Sequence, residues 1–532
     1  MNKRLLIALL LSMVVLLFSF YMNPKQHLEN NFTQNNSTIA TSQTKAPTPP
    51  KVDTTNNNLS TPKTASSVIS NNIIAKVETK KYILTFDNLG RFDSVILKED
   101  KYKTDDGKPL DLIDKKLIKP LEIRFKDEKL NNLAFIKSYS ASVKELNVTT
   151  KEATITLTQN LDGVIVKKII TFFPNGNYHL NIEVSKKDAQ YFITPGFRPM
   201  ADKSMYMVVR GALIRKANGV IEIIEDGEAT KILTFNDADV TAAVDRYYTT
   251  LFYKKSGTMV ATVGPSGLPE HEKDPIIFIH SKGNSTLNGY IGPKEYKLLV
   301  SLDKKLEDVV EFGLMTFLAK PFFKIMLAIY EFIGNWGWAI VIFTILVKIV
   351  LYPLSYKGLM SMQKLKDLAP KMQELREKYK NDPMKLNQQM MELYRKHGAN
   401  PMGGCLPMLI QIPIFFALYR VLLNAVELQG APWILWINDL SRPDPYYILP
   451  LLMGVTMYIQ QKLTPNTMTD PMQQKIFNWL PAIMTIFFIA FPSGLVLYWL
   501  VNNILSILQQ LYINKAYEKY KAQLKAAKAG KK

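Results

Sequence analysis

The residue with the clearest potential for chemistry is a lysine inside an apolar run. Lys348 stands in TILVKIVLYP, about twelve residues into a predicted membrane span, and Thr344 lies one helical turn before it on the same face. A charged side chain inside a span is costly, and it usually faces the bundle interior or a water-filled cavity. Position alone leaves two interpretations open: a functional cation, or a lysine that extends to the nearby water interface.

Polar side chains also occur in other predicted spans. Gln411 lies in MLIQIPIFFALY. The last span carries four amides, Asn502, Asn503, Gln509 and Gln510. Hydrogen bonds between helices would explain the amides but not the cation. No acidic residue lies in the core of a predicted span to neutralise Lys348, and a buried charge needs water or a partner. The pattern favours a hydrated cavity that receives a polar or acidic ligand.

The composition excludes several classes of protein. The 532 residues include 66 Lys+Arg and 46 Asp+Glu, which gives a formal net charge of +20. A single cysteine, Cys405, excludes a disulfide framework and a cysteine-rich metal site, and its expected role is packing. The five histidines never fall three or four positions apart, which excludes the helical zinc motifs. We expect no catalytic residues, no cofactor and no metal.

Residues 1–22 are predicted to form an N-terminal transmembrane anchor. Lys3 and Arg4 precede the uncharged run LLIALLLSMVVLLFSFYM, which is close to the roughly 20 residues needed to span a bilayer. The run ends without a small-residue cleavage site, so an uncleaved anchor is favoured over a cleaved signal peptide. Residues 23–75 are rich in Asn, Thr, Ser and Pro, which predicts a disordered polar linker.

Residues 76–315 are predicted to form a large extracytoplasmic antiparallel β-sandwich domain. Short β-rich runs alternate with turn signals, and the clearest hairpin places PNGN (174–177) between VIVKKIITFF and YHLNIEV. We find no glycine-rich phosphate loop and no nucleophile elbow in this part of the sequence. The domain is therefore interpreted as a module for scaffolding or binding.

Residues from 316 onward predict a helical region in the membrane. An amphipathic interfacial helix over 316–335 leads into a five-helix core, 336–512. The apolar segments of the core are 336–354, 405–426, 446–461, 476–491 and 494–512. With the anchor, this predicts a polytopic α-helical membrane protein with six transmembrane helices. The third and fourth core segments hold about 16 residues each, and spans of this length would thin the local bilayer. Alternatively, the two helices extend a few residues beyond the predicted boundaries.

Loop charges predict the topology. The segment 356–401 carries ten Lys/Arg against five acids, and the tail 513–532 carries seven Lys against one Glu. The segment 427–445 carries three acids against one Arg. The positive-inside rule therefore places both termini in the cytoplasm and the β-domain outside.

The segment 356–400 is charged and rich in helix-forming residues, with Asn381, Asp382 and Pro383 near its middle. This pattern predicts a cytoplasmic helical hairpin that turns at the proline. Its six methionines could bind apolar partners or pack between the two helices. The basic cytoplasmic tail 513–532 could contact anionic lipid or ribosomal RNA, or remain solvated.

The second half of the sequence resembles the YidC/Oxa/Alb family of membrane-protein insertases. The resemblance covers 334–512 in order and spacing. It rests on GNWGWAIVIFTILVKIVLYPL, NPMGGCLPMLIQIPIFFALY, DPYYILPLLMGVTMYIQQKL, TDPMQQKIFNWLPAIMTIFF and FPSGLVLYWLVNN. The additional N-terminal span, linker and β-domain are similar to the arrangement in the Gram-negative members, by architecture more than by motif.

The resemblance implies a five-helix insertase core with a hydrophilic, positively charged groove that is open to cytoplasm and lipid. Lys348 occupies the position of the groove cation, where most bacterial members carry Arg, and a buried Lys loses its proton more readily than Arg. The implied client contacts are Thr344, Phe415, Tyr498 and Trp499. With the polar residues, the candidate client-binding groove comprises Lys348, Thr344, Gln411, Phe415, Tyr498, Trp499 and Asn502.

The resemblance also implies a function and partners. It implies an inner-membrane insertase and chaperone whose partners are nascent membrane-protein clients, the Sec translocon with its associated subunits, the lipid bilayer, and the ribosome through the Lys-rich tail and hairpin. Two alternatives remain from the residues alone. A small-solute secondary transporter could use Lys348, although the core spans show no internal repeat. An envelope sensor would need neither six spans nor an intramembrane cation.

Overall fold

The computed structural model describes residues 72–104, 106–202, 208–397, 406–464 and 471–529. The predicted anchor 1–22, the linker up to residue 71 and Cys405 lie outside these ranges. The described chain divides into two compact units. The first comprises 72–98 and 111–292, and the second comprises 99–110 and 293–529.

The first unit consists mainly of β-strands, with one helix, α1 (Glu128–Ile136). The strands are β1 (Ile73–Glu78), β2 (Tyr82–Asp87), β3 (Phe92–Leu97), β4 (Ile123–Phe125), β5 (Ser140–Ala141), β6 (Glu145–Asn147), β7 (Ala153–Leu161), β8 (Val164–Phe172), β9 (Asn177–Val184), β10 (Gln190–Ile193), β11 (Gly211–Lys216), β12 (Ile221–Glu225), β13 (Leu233–Val244), β14 (Tyr248–Tyr253), β15 (Met259–Pro265), β16 (Pro275–Lys282) and β17 (Ser285–Pro293).

These strands form two sheets. The smaller sheet has the order β3-β2-β1-β6, and the larger has the order β4-β10-β16-β15-β13-β14-β17-β9-β8-β7-β5, with β11 and β12 branching from β13. The β1–β6 pair is parallel, whereas the other pairs with a described register are antiparallel. The predicted β-rich domain is therefore present, and the parallel pair is a departure from the predicted pattern.

Aromatic side chains from the two sheets pack together in the core of this unit. The ring centroids of Phe92 in β3 and Tyr178 in β9 lie 5.4 Å apart, and those of Phe86 in β2 and Phe172 in β8 lie 6.2 Å apart. Strands β8 and β9 form the predicted hairpin, in which Gly176 has a φ of 88°, as its turn requires.

The predicted linker 23–75 is too long at its C-terminal end. Strand β1 begins at Ile73 and pairs with β2. Ala75 and Val77 alternate as buried residues of the small sheet, which is the period expected for a strand with one buried face. Apolar burial therefore places residues 73–75 in the β-unit.

The second unit is helical. Its helices are α2 (Tyr296–Leu302), α3 (Thr316–Ile333), α4 (Trp336–Lys378), α5 (Pro383–His397), α6 (Leu406–Asn424), α7 (Ile448–Leu463), α8 (Pro471–Phe488) and α9 (Ser493–Ala529). Three 3-10 turns accompany them, Lys304–Val309, Gly313–Met315 and Val426–Leu428.

Residues 294–315, which the sequence assigned to the β-domain, belong to this helical unit. They form α2 and two 3-10 turns. Lys320 of α3 pairs with Asp308 at 2.8 Å, and Lys324 pairs with Glu307 at 3.2 Å. These ion pairs join the segment to α3, which begins at the position predicted for the interfacial helix.

Each of the five predicted core spans falls on a helix. Among the described residues, two helices are long and apolar enough to cross a membrane, α4 and the Ser493–Gln523 part of α9. A shorter apolar stretch covers Ile410–Asn424. The predicted total of six spans stays a prediction.

The predicted hairpin consists of the C-terminal part of α4 and helix α5. Its turn lies before Pro383, where the Asp382 carboxylate accepts a hydrogen bond of 3.0 Å from the backbone N–H of Lys385. The first hairpin helix is a direct continuation of the predicted span 336–354, because α4 runs without interruption through Pro353 and Pro370.

The predicted tail 513–532 is helical as far as it is described, because α9 continues to Ala529. Its Ala, Lys and Gln residues favour helix. The Tyr517 hydroxyl donates to Asp367 of α4 at 3.0 Å, and Lys521 pairs with the same carboxylate at 2.9 Å. The beginning of the tail is therefore bound to the hairpin and not freely solvated.

Candidate functional site

Three polar residues of α9 recur every four positions and so lie along one face of the helix. They are Tyr498, Asn502 and Ser506, and they extend over about 12 Å at a rise of 1.5 Å per residue. Gln411 of α6 donates a hydrogen bond of 2.9 Å to the Tyr498 hydroxyl, and Lys348 of α4 donates one of 2.8 Å to the Ser506 hydroxyl. We call these five residues the polar column, and it joins three helices.

Lys348 is partly buried near one end of the polar column. Among the residues that the structure describes, none provides a carboxylate that pairs with it. Ser506 in turn donates its own proton to the carbonyl oxygen of Asn502 at 2.7 Å, so its oxygen is available to accept from the ammonium. A neutral hydroxyl orients the ammonium without cancelling its charge. The column therefore retains a net positive charge among apolar helices.

Thr344 lies one turn before Lys348, as predicted, but its side chain is only 1% exposed. Its hydroxyl donates to the backbone carbonyl of Ile340 at 2.7 Å, which satisfies the donor within its own helix. Its predicted client contact stays a prediction, and in this conformation Thr344 acts as a packing residue beside the cation.

Aromatic residues lie beside the Gln411 end of the column. The rings of Phe415 and Trp499 meet edge to face with centroids 4.7 Å apart, and Phe488 of α8 lies 5.1 Å from Trp499. Phe415 and Trp499 are both partly exposed. The structure thus places an apolar surface next to the polar column.

Sequence reasoning missed Ser506 of this site and the hydrogen-bond partner of the neighbouring Asn503. Ser506 is the partner of Lys348, and Thr456 of α7 lies 3.4 Å from the Asn503 amide nitrogen, which donates to it. The four-residue repeat that begins at Tyr498 and Asn502 could have identified Ser506. The Asn503 contact faces α7 and not the column, so the two neighbouring amides have different roles.

The described residues contain no group of three or more His, Cys, Asp or Glu side chains that could hold a metal ion.

The β-rich unit is followed by apolar helices around a charged polar column, and two of the described helices are long and apolar enough to cross a membrane, a combination that indicates the class of helical membrane proteins. The family model described as 60Kd inner membrane protein matches residues 328–521, and the one described as YidC periplasmic domain matches residues 272–325.

Three similar relatives are named membrane protein insertase YidC. The Wolinella succinogenes protein is 50% identical over 466 residues, which cover 87% of this chain and 85% of the relative. The Campylobacter jejuni protein is 46% identical over 523 residues, 97% of each chain. The Helicobacter pylori protein is 44% identical over 546 residues, which cover 98% of this chain and 97% of the relative. The chain belongs to the YidC family of membrane protein insertases.

Two solved structures are also similar. The crystal structure of an active YidC insertase with its first transmembrane domain resolved is 20% identical, with a TM-score of 0.36, and covers 81% of this chain and 90% of that chain. YidC from Thermotoga maritima is 17% identical, with a TM-score of 0.31, and covers 82% of this chain and 98% of that chain.

Proposed function

We propose that this chain is a membrane protein insertase and chaperone of the bacterial inner membrane. It inserts integral membrane proteins and helps them to fold or assemble, alone or with the Sec translocon. Family membership supports the activity. The observation that carries the mechanism is the unneutralised Lys348 in the polar column.

In this mechanism, the polar or acidic end of a client enters the polar column and approaches Lys348. Two opposite charges 4 Å apart attract each other by about 4 kcal/mol at an effective dielectric constant near 20, which lowers the cost of moving the polar end into the bilayer. The apolar segment of the client then passes from water to lipid beside Phe415 and Trp499. Its burial supplies the driving force, about 25 cal/mol for each Å² of apolar surface.

The remaining site residues have roles that follow from their contacts. The Gln411 amide donates a hydrogen bond to the Tyr498 hydroxyl, and the two residues lie at the end of the column beside the aromatic surface. Asn502 lies between Tyr498 and Ser506, where its amide is placed to contact a polar client segment. None of these roles requires a cofactor.

We propose the predicted topology for this function. The β-unit lies in the periplasm, both termini and the hairpin 356–400 lie in the cytoplasm, and six helices span the membrane. The continuous helix α4 supports this arrangement, because a single helix connects Lys348 to the hairpin. The Sec translocon is proposed as a partner of the membrane core, and the ribosome as a partner of the hairpin and the Lys-rich end of α9.

The experiment that tests the function uses liposomes that contain only the purified chain. A single-span client with an acidic N-terminal tail is added, and protease protection of the tail is compared for the wild type and Lys348→Ala. We expect protection by the wild type and a loss of at least severalfold in the variant. Equal protection of the tail by the wild type and Lys348→Ala would support the insertase function but would show that Lys348 has no part in its mechanism. If neither chain protects the tail while solute flux is observed, a transporter function replaces the proposal.

A further inference from the structure

Aromatic residues cluster at the end of the helical unit where α4, α7 and α9 begin. Four of the six tryptophans lie here, two at the start of α4 and two in the segment before α7: Trp336, Trp338, Trp433 and Trp436. The Trp338 and Trp433 rings meet edge to face with centroids 5.8 Å apart, and Asn335 donates to the Trp433 carbonyl at 3.2 Å. We call residues 433–447 the aromatic loop.

The aromatic loop is fixed at both of its sides. The Asp444 carboxylate, 1% exposed, accepts hydrogen bonds from the Trp436 indole at 3.0 Å and from the backbone N–H groups of Tyr446 and Leu449 at 3.0 and 2.7 Å. The Ser493 N–H donates to the carbonyl of Arg442 at 2.7 Å, which ties the loop to the start of α9. The loop is therefore a rigid platform on the bundle.

This rigid platform directs apolar side chains outward. Leu435 is 79% exposed, and Tyr446 and Tyr447 are 65% and 51% exposed. Leu435 and Tyr447 both have left-handed backbone, with φ values of 54° and 59°, which is unfavourable for such residues. The tertiary contacts of the loop maintain this backbone, and it holds the apolar side chains outward. Exposed apolar groups of this size are costly in water, so the loop has the properties of a surface that is covered by an apolar medium.

The charges of the aromatic loop point to lipid as that medium. Asp439 accepts from Ser441 and lies 3.5 Å from Arg442, while Asp444 is buried. The loop contains no lysine. Apart from Asn438 and the 55% exposed Arg442, its exposed residues are apolar, aromatic or proline. Trp and Tyr are enriched where a protein passes from hydrocarbon to headgroups, and Arg also occurs there as an interfacial anchor. The surface is also continuous with α4, an apolar helix long enough to cross the bilayer.

We propose that the aromatic loop is a fixed lipid anchor, whose Leu435, Tyr446 and Tyr447 side chains enter the boundary between headgroups and acyl chains. In the topology proposed above, this is the periplasmic leaflet. The anchor goes beyond the insertase function, because it requires only that the chain resides in a bilayer. It would set the depth of the first turn of α7, whose 16 residues extend about 24 Å, less than the roughly 30 Å of a typical hydrocarbon core.

The test measures lipid contact directly. In the full chain with Cys405→Ala, Leu435→Cys is labelled with the environment-sensitive fluorophore NBD and reconstituted into phosphatidylcholine vesicles. Lys151→Cys, on the exposed surface of the β-unit, is the matched water-exposed control. Tyr446→Cys is a second test position, because its backbone is not left-handed and the label should not disturb the turn.

We expect blue-shifted emission at positions 435 and 446, with severalfold stronger quenching by lipids spin-labelled near the headgroup than by aqueous iodide. The control should show the reverse. Quenching of both test positions by iodide alone would overturn the proposal. Blue-shifted emission that neither quencher affects would also overturn it, because protein and not lipid would then cover the loop. The readout does not depend on insertion, so a failed insertion assay and a failed anchor are distinguishable.

Discussion

Lys348 of α4 donates a hydrogen bond to the Ser506 hydroxyl of α9 across 2.8 Å. The two residues lie 158 positions apart in the chain, on two helices of its described part that are long and apolar enough to span a bilayer. A carboxylate in place of Ser506 would neutralise the ammonium, whereas a hydroxyl only orients it. The pair therefore keeps a positive charge available inside an apolar bundle, and this charge is what an acidic client would meet.

The first prediction concerns the sign of this charge. Lys348→Arg should retain insertion, because the positive charge remains. Lys348→Glu should impair insertion most for clients with acidic translocated ends, by tenfold or more, because attraction becomes repulsion. The measurement is protease protection of matched clients with acidic and neutral tails in liposomes. Ser506→Ala keeps the charge and should lose no more than a few fold. Equal insertion of all clients by Lys348→Glu would refute the groove-cation role.

The second prediction concerns the hydrogen bond between Gln411 and Tyr498. Tyr498→Phe leaves the Gln411 amide without its acceptor in an apolar setting, which should destabilise the bundle by about 1–3 kcal/mol. Replacing both partners, with Gln411→Leu and Tyr498→Phe, should recover part of the loss. Thermal unfolding in detergent of the two single variants and the double variant gives the coupling energy. Additive losses would show that the two side chains are not coupled.

Much of the helical unit could be predicted from the sequence because its signals are local. Apolar runs gave the five core helices, and Asp382 and Pro383 gave the hairpin turn. The sequence indicated Lys348, Gln411, Tyr498 and Asn502 as candidate residues, but it did not indicate Ser506 or any of the hydrogen bonds that join these residues. Contacts such as Lys348 with Ser506 depend on how distant helices pack, which no local pattern encodes.

Two other features could not be predicted because they depend on contacts between residues that are distant in the sequence. The charge of the tail indicated either contact with lipid or RNA or a solvated segment, whereas in the structure Asp367 binds Tyr517 and Lys521 and so joins the beginning of the tail to α4. The turn signals of the β-domain suggested antiparallel neighbours throughout. The parallel β1–β6 pair is non-local, and no periodicity in the sequence indicates it.

The third prediction separates the two roles considered for the hairpin methionines. Met390 packs against Leu365, Leu368 and Met372, whereas Met384 and Met391 are 86% and 65% exposed. Met390→Ala should destabilise the hairpin by about 2 kcal/mol through lost packing.

The two exposed methionines, Met384 and Met391, provide the comparison with the packed Met390. A double variant, Met384→Ser with Met391→Ser, should leave stability unchanged and weaken crosslinking of the hairpin to apolar client segments by severalfold. Thermal unfolding and site-specific photocrosslinking measure the two effects. Unchanged crosslinking would assign the exposed methionines no part in client capture.

The fourth prediction concerns which part of the β-domain region the insertase needs. Residues 99–110 belong to the helical unit, where the Tyr102 hydroxyl donates to Glu295 at 2.9 Å and Lys101 pairs with the same carboxylate at 3.4 Å. A chain without 72–98 and 111–292, in which a flexible linker joins 110 to 293, should insert clients nearly as well as the wild type.

The control for this deletion lacks 99–110 as well. It should unfold at a lower temperature, because Glu295 then loses its contacts with Tyr102 and Lys101. Insertion by the two chains is compared in liposomes, and helicity is checked by circular dichroism. Complete loss of insertion in the first chain, with its helices still folded, would mean that the β-unit acts directly on clients.

The fifth prediction follows from a lysine that is fully buried in the β-unit. Lys168 of β8 is 0% exposed, and its ammonium donates to the carbonyls of Gly90 at 2.8 Å and Leu121 at 2.9 Å. Burial lowers the pKa of Lys168 to about 7, from the ordinary value of 10.5 that applies in the unfolded chain, while the Asp87 carboxylate acts in the opposite direction.

This shift gives stability a definite dependence on pH. Between about pH 7 and pH 10.5, the unfolded chain binds a proton that the folded chain has released, so the free energy of unfolding rises with pH in this window and is lowest below pH 7. Lys168→Met should remove this rise, whereas Lys167→Met, at the adjacent exposed position, should keep it. Urea unfolding of the full chain in detergent, followed by pulse proteolysis of the β-unit at several pH values, measures the slope. The same slope in the wild type and Lys168→Met would show that Lys168 stays protonated, because its carbonyl partners then outweigh its burial.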